Sequence, residues 1–435
     1  MPYQTQESTV ITRIIKTSLA LAVAGASTYS LAGGFAINEQ SVSGMGTAFA
    51  GRSSSADDAS TVFGNPAGMS RLKREQVSGG VALLDAKTDI DHGRGSVSGR
   101  SISGSNDGDM VPFIGVPMGY YVKPIDDKWT FGLGMYVPFG LVTDYENGFQ
   151  GRYYGTRSEV RVITLQPTVS YKINDQLSVG FGPTINRIDG ELTSATLNPS
   201  SPGSNDGKVK IKGDDTALGY NVGVLFEATP STRLGLTYHS MVDYKLEGDT
   251  QISGTGFGPF AGSKYDASLK LKTPESVDFS VTHDLNADWT LYAGTTWTRW
   301  SRLKDITVNN KGVQAPLAGR IGTITEEQNW RDTWSYAVGA AYKLNREWTL
   351  RAGLAYDQSP TRNEYRSPRI PTDDRKILSL GAAWSPNDDW TVDLAYSYLK
   401  EDDATINQSS STKGSYSSTY KNSAHGLGAQ VTYRF

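Results

Sequence analysis

The chain has 435 residues, a formal net charge of −3, 37% hydrophobic residues and no cysteine. The charge excludes the concentrated basic surface that nucleic-acid binding needs, and the lack of cysteine excludes a disulfide framework, thiolate chemistry and zinc-thiolate sites. A mean hydropathy of −0.40 beside 47 Gly, 23 Tyr and 9 Trp suits a transmembrane barrel, whose strands give only half their side chains to lipid and collect Tyr and Trp at the interfaces.

Arg13 and Lys16 precede the apolar stretch Leu19 to Ala26, and Ser30-Leu31-Ala32 places small residues where a signal peptidase reads. Residues 1–32 therefore read as a cleaved signal peptide, with Gly33 first in the mature chain. A membrane anchor needs about twenty apolar residues, and this stretch is too short and too polar. Residues 33–75 do not alternate. Their small residues, SVSGMGTAFAG followed by SSSADDAST, suggest a compact coil with one or two short helical turns, and a barrel lumen is the place for such a segment. Within it, Asn65-Pro66-Ala67 reads as a turn, because Pro fixes φ and gives up a donor while Asn bonds its own backbone.

From Gln76 onward the chain alternates. Trp129, Phe131, Leu133, Met135 and Val137 form one apolar face, as do Leu218 to Phe226, Trp348 to Tyr356 and Trp390 to Tyr398 at every second position, with Gly, Thr, Ser, Asp and Arg opposite. Tight turns fall at Ile125 to Lys128, Asn174-Asp175, Pro230-Ser231, Asn286 to Asp288, Asn345-Arg346 and Pro386 to Asp389. Longer polar stretches fall near His92 to Asp109, Glu146 to Arg157, Ser194 to Asp214, Ser253 to Lys264, Val308 to Asn329, Arg362 to Asp373 and Ile406 to Ser417. Strict alternation of six turns and seven loops implies an all-β fold: a transmembrane antiparallel β-barrel of about fourteen strands over residues 76–435, with an N-terminal hatch, residues 33–75, in its lumen. Short turns face the periplasm in such barrels, so both ends of the barrel domain belong there. The last strand, AHGLGAQVTYRF, ends on Phe435, the terminal aromatic that the barrel-assembly machinery of the outer membrane recognises. A large soluble β-sandwich shares the strand spacing but leaves the signal peptide and terminal Phe unexplained.

Several segments together resemble the FadL/TodX family of outer-membrane transporters: GGFAINEQSVSGMGTAFAG, ADDAST and GNPAG in the hatch, then YVPFGLVTDY, LQPTVSYKIND and IPTDDRKILSLGAAW in the barrel. The resemblance spans essentially the whole mature chain. It implies a fourteen-stranded barrel plugged by a hatch that carries Asn65, Pro66 and Ala67, and passive uptake of hydrophobic compounds. Ligand is captured among outer loops, passes to a lumen pocket and leaves sideways into the lipid where the third strand is kinked. The kink falls at Val137 to Gly140, where Pro138 removes a ladder donor and Phe139-Gly140 follows. Apolar contacts to ligand are expected from Phe35, Phe257 and Phe260, whereas the loop Ser194 to Asp214 is too polar for a groove. By the same resemblance one cation for a fatty-acid carboxylate falls on Arg331, while the other expected basic position is Asp189, with Arg187 two residues upstream as a substitute.

The resemblance favours long-chain fatty acids as cargo, with neutral monoaromatic hydrocarbons as the alternative and a general diffusion porin as the rival the hatch argues against. Catalysis is not expected, since His92, His239, His283 and His425 sit in no nucleophile motif. Neither a cofactor nor a metal is expected, and Asp85, Asp89 and Asp91 miss the spacing of a calcium loop. The expected partners are a hydrophobic small molecule, outer-membrane lipid and the assembly machinery, with the chain acting as a monomer.

Overall fold

Period-two alternation suits a sheet with lipid on one face and a lumen on the other, and in the computed structural model it closes into a ring of fourteen antiparallel strands. The structure describes residues 34–435 except 199 and 202; the expected signal peptide and Gly33 lie outside the described residues. The strands are β1 Gln76–Val97, β2 Ile114–Pro124, β3 Trp129–Asp144, β4 Arg157–Lys172, β5 Leu177–Thr196 and β6 Gly207–Thr229. Then come β7, Thr232–His239 continuing as Val242–Ser253; β8, Lys264–Thr273 continuing as Ser276–Asp284; and β9, Trp289–Thr298 continuing as Asp305–Asn310. The ring is completed by β10, Thr323–Glu327 continuing as Thr333–Lys343; β11 Trp348–Asp357; β12 Arg375–Trp384; β13, Trp390–Glu401 continuing as Ala404–Ser410; and β14 Gly414–Arg434. Each strand pairs with the next, and β14 closes on β1 from Gln76 opposite Arg434 to Ser96 opposite Ser415.

All six expected tight turns are present, and five share one device. The side-chain oxygen of Asp126, Asn174, Asn286, Asn345 or Asn387 accepts two backbone N–H groups just ahead of the next strand, which fixes the turn by local chemistry. At this end Trp129, Trp289 and Trp390 lie against Tyr171, Tyr342 and Tyr433 of a neighbouring strand, with ring centroids 4.6, 4.7 and 4.6 Å apart. These pairs form an interfacial aromatic girdle.

The long-loop end departs from expectation. Ser194 to Asp214 is mostly strand, since β5 runs to Thr196 and β6 starts at Gly207; Ile406 to Ser417 is a hairpin with a short turn. In the extension of β6, Lys208, Lys210 and Lys212 alternate with Val209 and Ile211, which pack inward near Ile252 and Phe257, so pairing continues where the outer face has turned from apolar to charged.

The segment before β1 fills the lumen. It holds the short helices α1 Val42–Met45, capped by the Ser41 hydroxyl, and α2 Thr61–Gly64, then a 3₁₀ turn Pro66–Arg71. Ala50, Ala59, Val62, Ala67 and Met69 are wholly buried. The wall makes room with glycine: a Cβ on Gly235 would overlap the Ser53 carbonyl, and one on Gly353 would overlap the Thr47 backbone. Hydrogen bonds tie segment to wall, from Thr237 Oγ1 to the Gly64 carbonyl (2.8 Å) and from Gln430 Nε2 to Asp58 Oδ2 (2.9 Å).

Candidate functional site: a gap in the barrel wall and the cavity behind it

The site begins with one proline. Tyr136 pairs with Thr164 of β4, the register then shifts, and pairing resumes at Phe139 opposite Val162, so two residues of β3, Val137 and Pro138, face a single residue of β4. Pro138 has no N–H to give the ladder. The bulge also turns the strand over: Trp129, Phe131 and Leu133 face lipid, but Val137, expected on the same face, is buried at 2% exposure.

On its other edge β3 is joined to β2 only from Thr130 to Met135. Beyond that β2 continues to Ile114 paired only with β1, so it parts from β3, and the edge of β3 left free is covered by the hatch. Ile37 N–H donates to the Pro138 carbonyl and Gly140 N–H to the Phe35 carbonyl, both at 2.8 Å. The Gln40 side chain completes the patch. Its Nε2 donates to the Val137 carbonyl (2.6 Å) while its Oε1 accepts the Val137 N–H (3.2 Å), so a side-chain amide stands in for a missing strand peptide. Phe35 packs beside this edge against Phe139, Trp300 and Trp330, with centroids 5.7, 4.9 and 5.9 Å away.

Behind the gap lies a lumen cavity. Ile37, Phe63, Phe139 and Val242 give it apolar walls, and Asn186, Asn221 and Arg52 give it polar ones. A second cavity sits nearer the long-loop end between β4 and β9 and is apolar, with Val160, Ile188, Leu192, Ile211, Leu246 and Leu271. One buried cluster connects them, since Ile188, Leu246 and Leu271 pack in it together with Val242, Tyr244 and Phe35.

The residues singled out from sequence fall into three places. Phe35, Pro138, Phe139 and Gly140 come together at the gap. Asn65, Pro66 and Ala67 pin the hatch: Asn65 Oδ1 caps the Ala67 N–H (3.0 Å), and its Nδ2 bonds the Ser53 carbonyl within the hatch (2.6 Å) and the Val224 carbonyl of β6 (2.9 Å). The remainder lie away from the lumen cavity. Phe257 is buried in a crown cluster with Val209, Ile252 and Ile321, and Phe260 is half-buried against it. Arg331 is at the rim, bonded to the Ser359 carbonyl (3.1 Å) and 3.5 Å from Asp374.

Arg187 stands on the same outer face as the exposed Ile185, whereas Asn186 and Ile188 between and beside them turn inward. It is paired with Asp214 at 2.9 Å, and Asp189, also on that side, lies 3.7 Å from Arg161. The two arginines expected to share a carboxylate thus sit apart, each facing an acid. Sequence reasoning passed over Gln40 and Arg52. A signal existed for the second, because Arg52 is the one Lys or Arg in residues 33–70.

Compared with known proteins, residues 23–435 match the family model described as outer membrane protein transport protein (OMPP1/FadL/TodX). The chain is 30% identical to a long-chain fatty acid transport protein of Escherichia coli O6:H1, over 89% of this chain and 91% of that one. It is also 30% identical to outer membrane protein P1 of Haemophilus influenzae, over 97% and 98%. Among solved structures, a Pseudomonas aeruginosa FadL homologue superposes with a TM-score of 0.84 at 27% identity, covering 92% of this chain and all of that one. The Pseudomonas putida toluene transporter TodX shares the fold, with a TM-score of 0.61 at 19% identity over 87% and 94%.

Proposed function

The chain belongs to the OMPP1/FadL/TodX family of outer-membrane transport proteins, and from that premise we propose that it carries hydrophobic compounds passively across the outer membrane, with long-chain fatty acids as its cargo. A molecule taken up at the apolar cavity near the long-loop end follows the buried cluster past Phe35 to the lumen cavity, and leaves sideways through β3 once Phe35 to Ile37 withdraw. The observation that carries this reading is the gap itself, a stretch of barrel wall closed by hatch backbone and the Gln40 amide instead of a strand. A few hydrogen bonds hold it, and each is worth only about 0.5 to 1.5 kcal/mol net, so the closure is reversible. Sideways exit also suits the cargo, because an alkyl chain gains about 0.8 kcal/mol for each CH₂ kept out of water and never has to re-enter the periplasm.

One observation favours a second reading, uptake of neutral monoaromatic hydrocarbons: Arg331 and Arg187 are already faced by Asp374 and Asp214, outside the lumen cavity. Uptake assays separate the two. Cells that lack a transporter of this class and display this protein are expected to accumulate labelled oleate faster than cells without it. Toluene uptake that rises while oleate uptake does not would favour the neutral cargo, and no gain for either compound removes the transport reading.

A further inference from the structure

We propose that the cation for a fatty-acid carboxylate is Arg52 of the hatch, at the lumen cavity; this rests on the transport reading above and assigns the acid class of cargo to that cavity. Buried arginines here come paired: Arg351 with Asp393 at 2.6 Å, Arg375 with Glu401 at 2.9 Å, Arg233 with Asp284 at 2.8 Å. Arg52 differs. Among the described residues no carboxylate lies within 4 Å of its guanidinium, and its one side-chain hydrogen bond runs from Nη2 to Asn38 Oδ1 (2.8 Å). A guanidinium has five N–H donors in a planar fork, so four remain for an anion with two oxygens.

The surroundings fit an acid with an apolar tail. Arg52 is the one Arg or Lys lining the cavity, and Ile37, Phe63, Phe139 and Val242 supply the apolar walls. Phe49 lies against the guanidinium with its ring centre 5.1 Å away, steadying the plane by cation–π attraction. The acid sharing the cavity, Asp278, accepts from Thr296 through Oδ2 and has an unpartnered Oδ1, so it repels a carboxylate and favours its placement at Arg52. The consequence is mechanical. The headgroup is held by the hatch and not by the wall, on the residue next to Ser53, which is itself bonded to Ser280 and Gly235 of the barrel. Cargo in the cavity therefore acts on the same segment that covers the gap.

The test is binding of oleate and of oleyl alcohol to the purified full-length protein in detergent, titrated calorimetrically for the wild type, Arg52→Gln and Arg52→Lys, with heat-modifiable gel migration as the check on folding. The wild type is expected to hold oleate more tightly than the alcohol. Arg52→Gln loses roughly ten- to a hundredfold for oleate, the range of a charge-assisted hydrogen bond, and nothing for the alcohol, while Arg52→Lys keeps part of the preference. The proposal is overturned if Arg52→Gln binds oleate as the wild type does, or loses both ligands equally. A wild type that binds both equally also overturns it, yet leaves hydrophobic transport standing. Binding of neither ligand removes both.

Discussion

Gln40 does with a side chain what β2, parted from β3 here, does not do with its backbone, satisfying both the N–H and the carbonyl of Val137 at the bulge. Such exchange of strand peptide for side-chain amide keeps a lipid-depth edge satisfied without making it permanent, which is the condition for any opening there. At the crown, Glu326 shows the opposite economy. It lies between Arg369 Nε (2.8 Å) and Lys413 Nζ (3.2 Å), above the lipid. Burial alone raises its carboxyl, but the two cations outweigh burial and hold it at about 2. Because the folded value lies below the ordinary 4.5, its stabilisation is complete above about pH 4.5 and is lost as pH falls through about 2. The Tm in detergent should therefore fall between pH 4.5 and 2 in the wild type, whereas Glu326→Gln starts lower and changes less over that interval. Identical profiles for the two proteins would falsify the assignment.

β3 is where element and function meet. Its first half alternates as an ordinary lipid-facing strand; two residues against one at Val137 and Pro138 then reverse its faces, and β2 parts from it there. Restoring a regular strand should close the edge to traffic. Pro138→Val returns an N–H to the ladder, and Gly140→Thr adds a β-branched side chain suited to a pleated surface. The double variant is expected to fold, migrate as a heat-modifiable barrel and take up oleate several-fold more slowly than the wild type. Unchanged uptake would point to passage along the barrel axis instead of through the wall.

For the whole molecule, the hatch decides whether the barrel is a pore. Wall glycines such as Gly235 and Gly353 leave room for its backbone, and Asn65, Ser53 and Asp58 fasten it to strands far apart in sequence. Those glycines have little other use in a strand, where they weaken packing. Deleting residues 34–72 should leave the fourteen-stranded ring intact, since its hydrogen bonds run strand to strand, and planar-bilayer recordings should then show steady ion currents that the full chain lacks. A truncated protein as tight as the full chain would mean that the wall alone seals the lumen.

Strand count, turn positions, lipid-facing residues and the presence of a hatch were legible in the sequence because each is written locally: period-two alternation, an Asn or Asp ahead of a strand, small residues without alternation. Pro138 and Gly140 marked the break in β3 for the same reason. What sequence could not supply was the side of the wall on which a residue lands once register has shifted, or which distant strand meets it. In a β-sheet a one-residue shift exchanges the two faces; it buried Val137, and the unbroken alternation of β5 set Arg187 outside beside Ile185. Pairing across the ring, which no local pattern encodes, gave Arg331 and Arg187 their acids and left Arg52 without one.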